Sequence, residues 1–327
     1  ERYYNGLWDA LTLEQREKTF FVPTLVMMKE EEFEPAYRAL RTSERNFLIK
    51  EDYLTFSDLL FSLHHLFRVW FIKPPPQEVK GVDFSPLIRE ELLTGGVNDG
   101  VLEALLNYRF AKRLREKSLN LSLVIDWWEG QCLDRGWNLG FNTFFPEILT
   151  KGYMGYVPRS MELQQYPSIS DIMNQVAPKR ICAIGEGICN EFKSINSLVE
   201  TEITPAFRFD HLWSSNSVEK SSGNFTILLA LSIMFEESVN ILEQIIDSGL
   251  LTENELEFLI KPHPVMNIET LKNRLGNKWP KSFEAVEGST SDYIRMSDLL
   301  ITGMSNIGLE AIVMGVPVIV VERMSGL

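Results

Sequence analysis

Lys261-Pro-His263-Pro264, followed downstream by Thr302-Gly-Met-Ser305-Asn306, is where the residue types of this chain could do chemistry. Each stretch ends an apolar run that reads as a buried strand, and the second opens a predicted helix running to Val313. Parallel α/β sheets hold ligands at the carboxyl ends of their strands, so Lys261, His263, Thr302, Gly303, Ser305 and Asn306 fall where a ligand sits. An ammonium, an imidazole, a hydroxyl and the free N–H groups of a helix start suit an anion, above all a phosphate. The prolines on either side of His263 restrict its backbone to an extended conformation, which fits a histidine with a specific task. Glu310, about one and a half turns into the predicted helix, can accept hydrogen bonds from the two hydroxyls of a ribose while the helix start faces the phosphates.

The elements that must position these groups alternate regularly. Strands are predicted at 225–232, 257–261, 283–287, 298–302 and 317–321, with helices at 236–248, 267–275, 290–296 and 305–314 between them. Strand and helix in turn at these lengths predict a doubly wound parallel sheet. Gly315 stands where a C′ glycine ends a helix, and Pro317 follows it. Upstream, Phe20 to Met28, Leu121 to Trp128, Gly152 to Val157 and Arg180 to Gly185 read as strands, and Ser57 to Phe71 and Asp99 to Lys117 as helices. The Ser-rich stretch 214–224 reads as a linker. The expected organisation is therefore an amino-terminal α/β domain over 1–213 with a helical insertion at about 30–118, the linker 214–224, and a carboxyl-terminal domain over 225–327.

Composition narrows the function. The chain has 327 residues, 45% of them hydrophobic, and its 45 acidic against 32 basic residues give a net charge of −13. That balance argues against a nucleic-acid backbone as the main ligand, so a phosphorylated substrate has to be held by a local site. Cys132, Cys182 and Cys189 form no metal-type spacing and suit a reduced, cytoplasmic compartment. No apolar run approaches the roughly twenty residues that span a bilayer. The chain opens without an initiator Met and stops soon after its last predicted strand, and is expected to be a fragment with a truncated carboxyl-terminal domain.

Gly303-Met-Ser-Asn-Ile-Gly-Leu-Glu310-Ala-Ile-Val-Met-Gly315-Val-Pro317 resembles the nucleotide-binding half of glycosyltransferases of the GT-B architecture, in which two Rossmann-like domains face each other across a cleft. With Lys261-Pro-His263-Pro264 the pattern is similar to bacterial sialyltransferases and to the Kdo and capsule-building transferases that use CMP-activated sugars. That resemblance implies that His263 contacts the nucleotide phosphate and that the Ser turn closes around it, although the usual Ser-Ser reads Ser305-Asn306 here. Asp126-Trp-Trp-Glu129-Gly-Gln131, Gly152-Tyr-Met-Gly-Tyr156, Pro167-Ser-Ile-Ser-Asp171-Ile with Ile184-Gly185, and Pro205-Ala-Phe-Arg208-Phe-Asp-His-Leu-Trp213 resemble surface-carbohydrate biosynthesis proteins of lipopolysaccharide and capsule loci. The match covers roughly residues 121–321 in order and finds no support over 1–110.

Glu129 lies just past a predicted strand, where a carboxylate can take the proton of an attacking sugar hydroxyl or attack an anomeric carbon. A capping or salt-bridged glutamate is the alternative. Asp126 falls within the buried strand and needs a partner, and Asp171 heads a helical pattern as an N-cap would. Arg208, between two phenylalanines in a predicted extended segment, suits a carboxylate or phosphate fork or an interdomain ion pair; Gln131 is a further substrate contact and His211 a lesser candidate. His64 and His65 are adjacent and so do not share a helix face, which argues against a metal site. Their aromatic helix is expected to be buried, with contact to a membrane surface as the alternative that a lipid-linked acceptor would require.

The expectation is a cytoplasmic glycosyltransferase, at the inner membrane face where the acceptor is lipid-linked. It would move a sugar such as Kdo from a nucleotide donor to a surface glycan, with Lys261, His263, Gly303, Ser305 and Asn306 on the phosphate, Glu310 on the ribose and Glu129 as base or nucleophile. It would need neither metal nor cofactor, because a helix dipole and fixed cations can stabilise a leaving phosphate. A sugar-nucleotide epimerase on the same scaffold, or an inactive partner in a glycan synthase, are the alternatives.

Overall fold

Two parallel sheets organise the chain, and they are wound differently. The computed structural model describes residues 4, 6–25, 28–74, 76–158, 162–213, 223–253, 255–303 and 305–321. The chain divides into two compact units, Glu1–Arg208 and Phe209–Leu327. The expected linker at 214–224 lies almost wholly outside the described residues, which resume at Gly223.

In the first unit a short antiparallel hairpin pairs β1 (Glu78–Val79) with β2 (Val82–Asp83). The sheet proper consists of β3 (Leu123–Trp127), β4 (Leu149–Met154), β5 (Arg180–Ala183) and β6 (Thr201–Ile203), paired in that order and all parallel. Its order runs in one direction, without a reversal among the described strands. Ahead of it lies the mainly helical region expected at about 30–118, with helices Glu30–Arg41, Phe56–Leu63, His65–Arg68, Ser85–Thr94 and Asp99–Glu116. The helix Asp99–Glu116 packs closely on Cys132–Phe144 because Gly136 and Gly140 leave room: a Cβ on Gly136 would stand 2.1 Å from the Ala104 carbonyl oxygen, and one on Gly140 2.9 Å from the Ala111 Cβ.

Three expectations for this unit are corrected. Phe20 to Met28 forms no strand; Phe21 makes only an isolated bridge to Phe47, and residues 26 and 27 lie outside the described set. Arg208 sits in the 3-10 helix Phe207–Trp213, not in an extended segment. The Tyr153 hydroxyl donates to the Pro205 carbonyl at 3.0 Å and accepts from the Phe207 N–H at 3.2 Å, which draws the chain into a turn just before Arg208. The aromatic helix is not buried: it breaks at His64, and most of its apolar residues, Phe61 and Val69 excepted, face outward.

The second unit contains β7 (Phe225–Ala230), β8 (Leu256–Lys261), β9 (Phe283–Ala285), β10 (Leu299–Thr302) and β11 (Val318–Val320), arranged β11-β10-β7-β8-β9 and all parallel. Helices Phe235–Asp247, Ile268–Leu275, Thr290–Met296 and Ile307–Val313 connect them, close to the sequence expectation. The alternate residues of β7 explain the winding. Ile227 and Leu229 enter one hydrophobic cluster and Leu228 and Ala230 another, so the strand is covered on both faces, as parallel strands require. Gly315 has φ +80° and ends the helix Ile307–Val313 as expected; the Val316 N–H donates back to the Ala311 carbonyl at 2.8 Å.

Candidate functional site

The strand order of the second unit reverses at β7, which lies between β8 and β10. In an open α/β sheet such a reversal leaves a crevice at the carboxyl ends of the two strands that diverge, here β7 and β10. Lys261, Ala230, Thr302 and Val320 are register partners across four strands, so they form one row at that edge. His263 follows two residues beyond Lys261, and Gly303, Ser305 and Asn306 follow Thr302. The ends of β8 and β10 are two strand spacings apart, about 9.6 Å.

These residues differ in what they offer. Among the described residues the Lys261 ammonium makes no ion pair. The half-buried His263 ring faces back on its own turn, its Nδ1 3.4 Å from the Val265 N–H. Thr302 is withdrawn from the candidate site: it is buried, and its hydroxyl donates to the Ala230 carbonyl at 2.9 Å, tying β10 to β7. Ser305 is exposed, and the helix starts after it, at Ile307.

Glu237, outside the predicted set, and His211, the lesser candidate, join this edge. A Cβ on Gly303 would stand 2.4 Å from Oε1 of Glu237, so the glycine makes room for a carboxylate from the first turn of Phe235–Asp247. A carboxylate there repels a phosphate but accepts from sugar hydroxyls. His211 pairs through Nε2 with Oε2 of the buried Glu310 at 3.2 Å. Glu310 is thus neither a solvated surface residue nor a freely offered carboxylate; one of its oxygens is engaged within the unit. No sequence spacing connects 211 with 310 or 237 with 303.

In the first unit the carboxyl end of β3 gathers acidic groups. The Glu129 carboxylate accepts from Trp127 Nε1 at 2.7 Å and from Gln131 Nε2 at 2.6 Å, so Gln131 orients Glu129. Asp134 accepts from the backbone N–H groups of Glu129 and Gln131 at 2.9 and 3.0 Å, closing the turn through Gly130, which has φ +69°. Burial, with the charge of Glu129 adding to it, pushes the Asp134 carboxyl up to about 6. Asp126 has the partner it needs: Oδ2 accepts from Asn138 Nδ2 at 2.8 Å. Its Oδ1 is enclosed and without a hydrogen-bond partner, as is Asn138 Oδ1. Burial and the neighbouring Asp134 hold the Asp126 carboxyl well above the usual carboxylate range. Asp171 is not the N-cap; Ser168 caps Ile169–Met173 and Asp171 answers it from the third position, accepting from the Ser168 N–H at 2.9 Å.

The glycines of Gly152-Tyr-Met-Gly155-Tyr156 have packing roles. A Cβ on Gly152 would stand 2.9 Å from the Trp128 Cβ, and one on Gly155 2.7 Å from the Trp127 ring. Without those methyl groups Trp127 stacks on Tyr156 with ring centres 5.7 Å apart. Among the described residues no cluster of His, Cys, Asp or Glu could hold a metal ion, and no helix is long and apolar enough to cross a membrane.

No protein-family model matches the chain, and no curated protein matches it in sequence. Solved structures do resemble it. The UDP-GlcNAc 2-epimerase from Neisseria meningitidis bound to UDP-GlcNAc is 14% identical, with 93% of this chain and 82% of that one covered at a TM-score of 0.47. The S. aureus MnaA-UDP co-structure is 13% identical over 92% of this chain and 77% of that one, at a TM-score of 0.46. The glycosyltransferase SnogD from Streptomyces nogalater is 12% identical over 94% and 82%, at a TM-score of 0.44. Likeness at this level fixes neither ligand nor reaction.

Proposed function

We propose that this chain is a sugar-nucleotide enzyme of the GT-B type, in which the carboxyl-terminal unit binds the nucleotide and the reaction is glycosyl transfer. The observation that carries the reading is the strand order β11-β10-β7-β8-β9. It sets a ligand crevice beside β7 and puts Lys261 and His263 at one edge and Ser305 with Asn306 at the other. The ammonium and imidazole take the phosphate, as the acidic chain requires of a local site, and Glu310 takes a ribose hydroxyl through the oxygen that His211 leaves free. Glu237 keeps phosphate off Gly303 and serves a sugar hydroxyl. Glu129 is the base for the acceptor hydroxyl, oriented by Trp127 and Gln131. The donor we favour is a CMP-linked ulosonic acid such as Kdo and the acceptor a surface glycan of the lipopolysaccharide or capsule kind, on the sequence resemblance.

Binding of CMP, UDP, GDP and TDP to the parent and to His263→Ala tests the nucleotide assignment. One nucleotide should bind the parent, and the variant should lose about 1.5–3 kcal/mol, the worth of a charged hydrogen bond. Equal affinity in a folded variant removes His263 from the site. Incubation with the matching nucleotide sugar alone separates transfer from epimerisation, because only an epimerase turns over without an acceptor.

A further inference from the structure

The helix Phe56–Leu63 is folded inside out. Its polar Asp58 and Ser62, one turn apart, are 0% and 3% exposed, whereas Phe56, Leu60 and Leu63 are 73%, 51% and 49% exposed. The stripe continues beyond the break at His64 with Phe67, Trp70 and Phe71, at 66%, 63% and 82%. Steps of three and four keep these residues on one side of the helical path.

The orientation is fixed from beneath. Asp58 accepts from Arg109 Nε at 2.5 Å and Arg113 Nε at 2.7 Å, and the Ser62 hydroxyl donates to the Leu102 carbonyl at 2.8 Å. At the far end Val69 is buried, and the Arg89 guanidinium donates to the carbonyls of Trp70, at 2.7 Å, and Ile72. Rolling the apolar residues inward would break a buried ion pair and strip these carbonyls of their donors. The outward stripe is therefore held in place by specific contacts.

Charge selects what covers it. From Leu59 to Lys73 the chain has no Asp or Glu but has His64, His65, Arg68 and Lys73, although the whole chain carries −13. An apolar, aromatic face beside Lys73 and Arg68, whose guanidinium also donates to the Phe61 carbonyl at 2.8 Å, matches an anionic bilayer, where rings sit at the headgroup level and Lys or Arg meets lipid phosphate. A second copy docked through the same patch would bring Arg68 and Lys73 of the two copies together, and no Asp or Glu lies between Leu59 and Lys73 to pair with them. We infer that the face formed by Phe56–Phe71 docks peripherally on an anionic phospholipid surface. This is independent of the nucleotide reading, since the patch lies within the first unit and its test reads no turnover.

Cosedimentation with vesicles of phosphatidylcholine plus phosphatidylglycerol, compared with phosphatidylcholine alone, tests it. The parent should bind the anionic vesicles at least about tenfold better, and added NaCl should weaken the binding. The double variant Phe67→Glu, Phe71→Glu should lose at least about tenfold of that binding with the parent's melting temperature, since both side chains are exposed. Failure of the parent to bind anionic vesicles, or undiminished binding by the variant, overturns the proposal. So does a dimer seen by light scattering that the double variant abolishes while neither protein binds vesicles, for the face then belongs to a second copy.

Discussion

Glu310 Oε2 lies 3.2 Å from His211 Nε2, joining the first described turn of the second unit to its last helix. The carboxylate is buried, so it needs a partner, and the imidazole provides one. Glu310→Gln preserves the shape and the contact to His211 but weakens acceptance from a ribose hydroxyl. Nucleotide affinity should drop about tenfold, the worth of one charge-assisted hydrogen bond, with little change in melting temperature. Calorimetric titration of both proteins checks this; a large stability loss at unchanged affinity makes the pair structural.

How much could be seen beforehand differs between the units. The second was legible nearly to its element ends, because its central strands β7 and β10 are buried, mainly apolar runs and Gly315 with Pro317 marks a helix exit. Glu237 and the pairing of His211 with Glu310 were not, since these contacts depend on how the elements are arranged in space, which sequence spacing does not encode. In the first unit the period of Phe56 to Phe71 was legible but its direction was not. An apolar stripe has the same period facing core or solvent, and only Asp58 and Ser62, four apart and both buried, mark the inner side. The turn at Arg208 was not legible because the alternation Phe-Arg-Phe suits a strand equally well, and the Tyr153 hydroxyl that turns the chain comes from a distant strand.

The Asp58 cluster makes a stability prediction. Burial opposes its charge, but bonds from Arg113, the Thr55 N–H and Arg109 outweigh burial and hold the carboxyl well below the usual range. A depressed folded value means that the contribution is present at neutral pH and lost as pH falls below the usual 3.8. Asp58→Asn should cost about 3–5 kcal/mol at pH 7 because it leaves two guanidinium groups without their carboxylate. Urea denaturation at pH 7 and pH 3 should show the gap narrowing in acid.

Asp126 should behave oppositely. Its raised folded value favours the protonated form, so stability is greatest below the usual 3.8 and declines as pH rises toward the folded value. Both Asp126 Oδ1 and Asn138 Oδ1 lack a donor, and Asp126→Asn puts an uncharged amide there that still accepts from Asn138 Nδ2 and adds an N–H where Oδ1 stands. The variant should gain about 1–3 kcal/mol at pH 8, the cost of leaving a buried polar group unsatisfied, with no gain at pH 3. A variant less stable than the parent at pH 8 would mean that the ionised carboxylate is what the fold holds there.

Glu129 carries the chemical prediction. Its two oxygens accept from Trp127 Nε1 and Gln131 Nε2, so it is held in one rotamer at the end of β3. Glu129→Gln can keep that geometry: the amide oxygen accepts from Trp127, and the new NH2 donates to the Gln131 oxygen once that amide flips. What disappears is the base. Transfer should therefore fall by about 10² to 10⁴, the usual contribution of a general base, while nucleotide affinity and melting temperature stay near those of the parent. Transfer within a few-fold of the parent makes Glu129 structural and moves the search to Asp134, whose carboxyl, pushed up to about 6 by burial, lies one hydrogen bond from the Glu129 backbone. In that case the pH–rate profile of the parent should carry a limb near 6, and Asp134→Asn should abolish it.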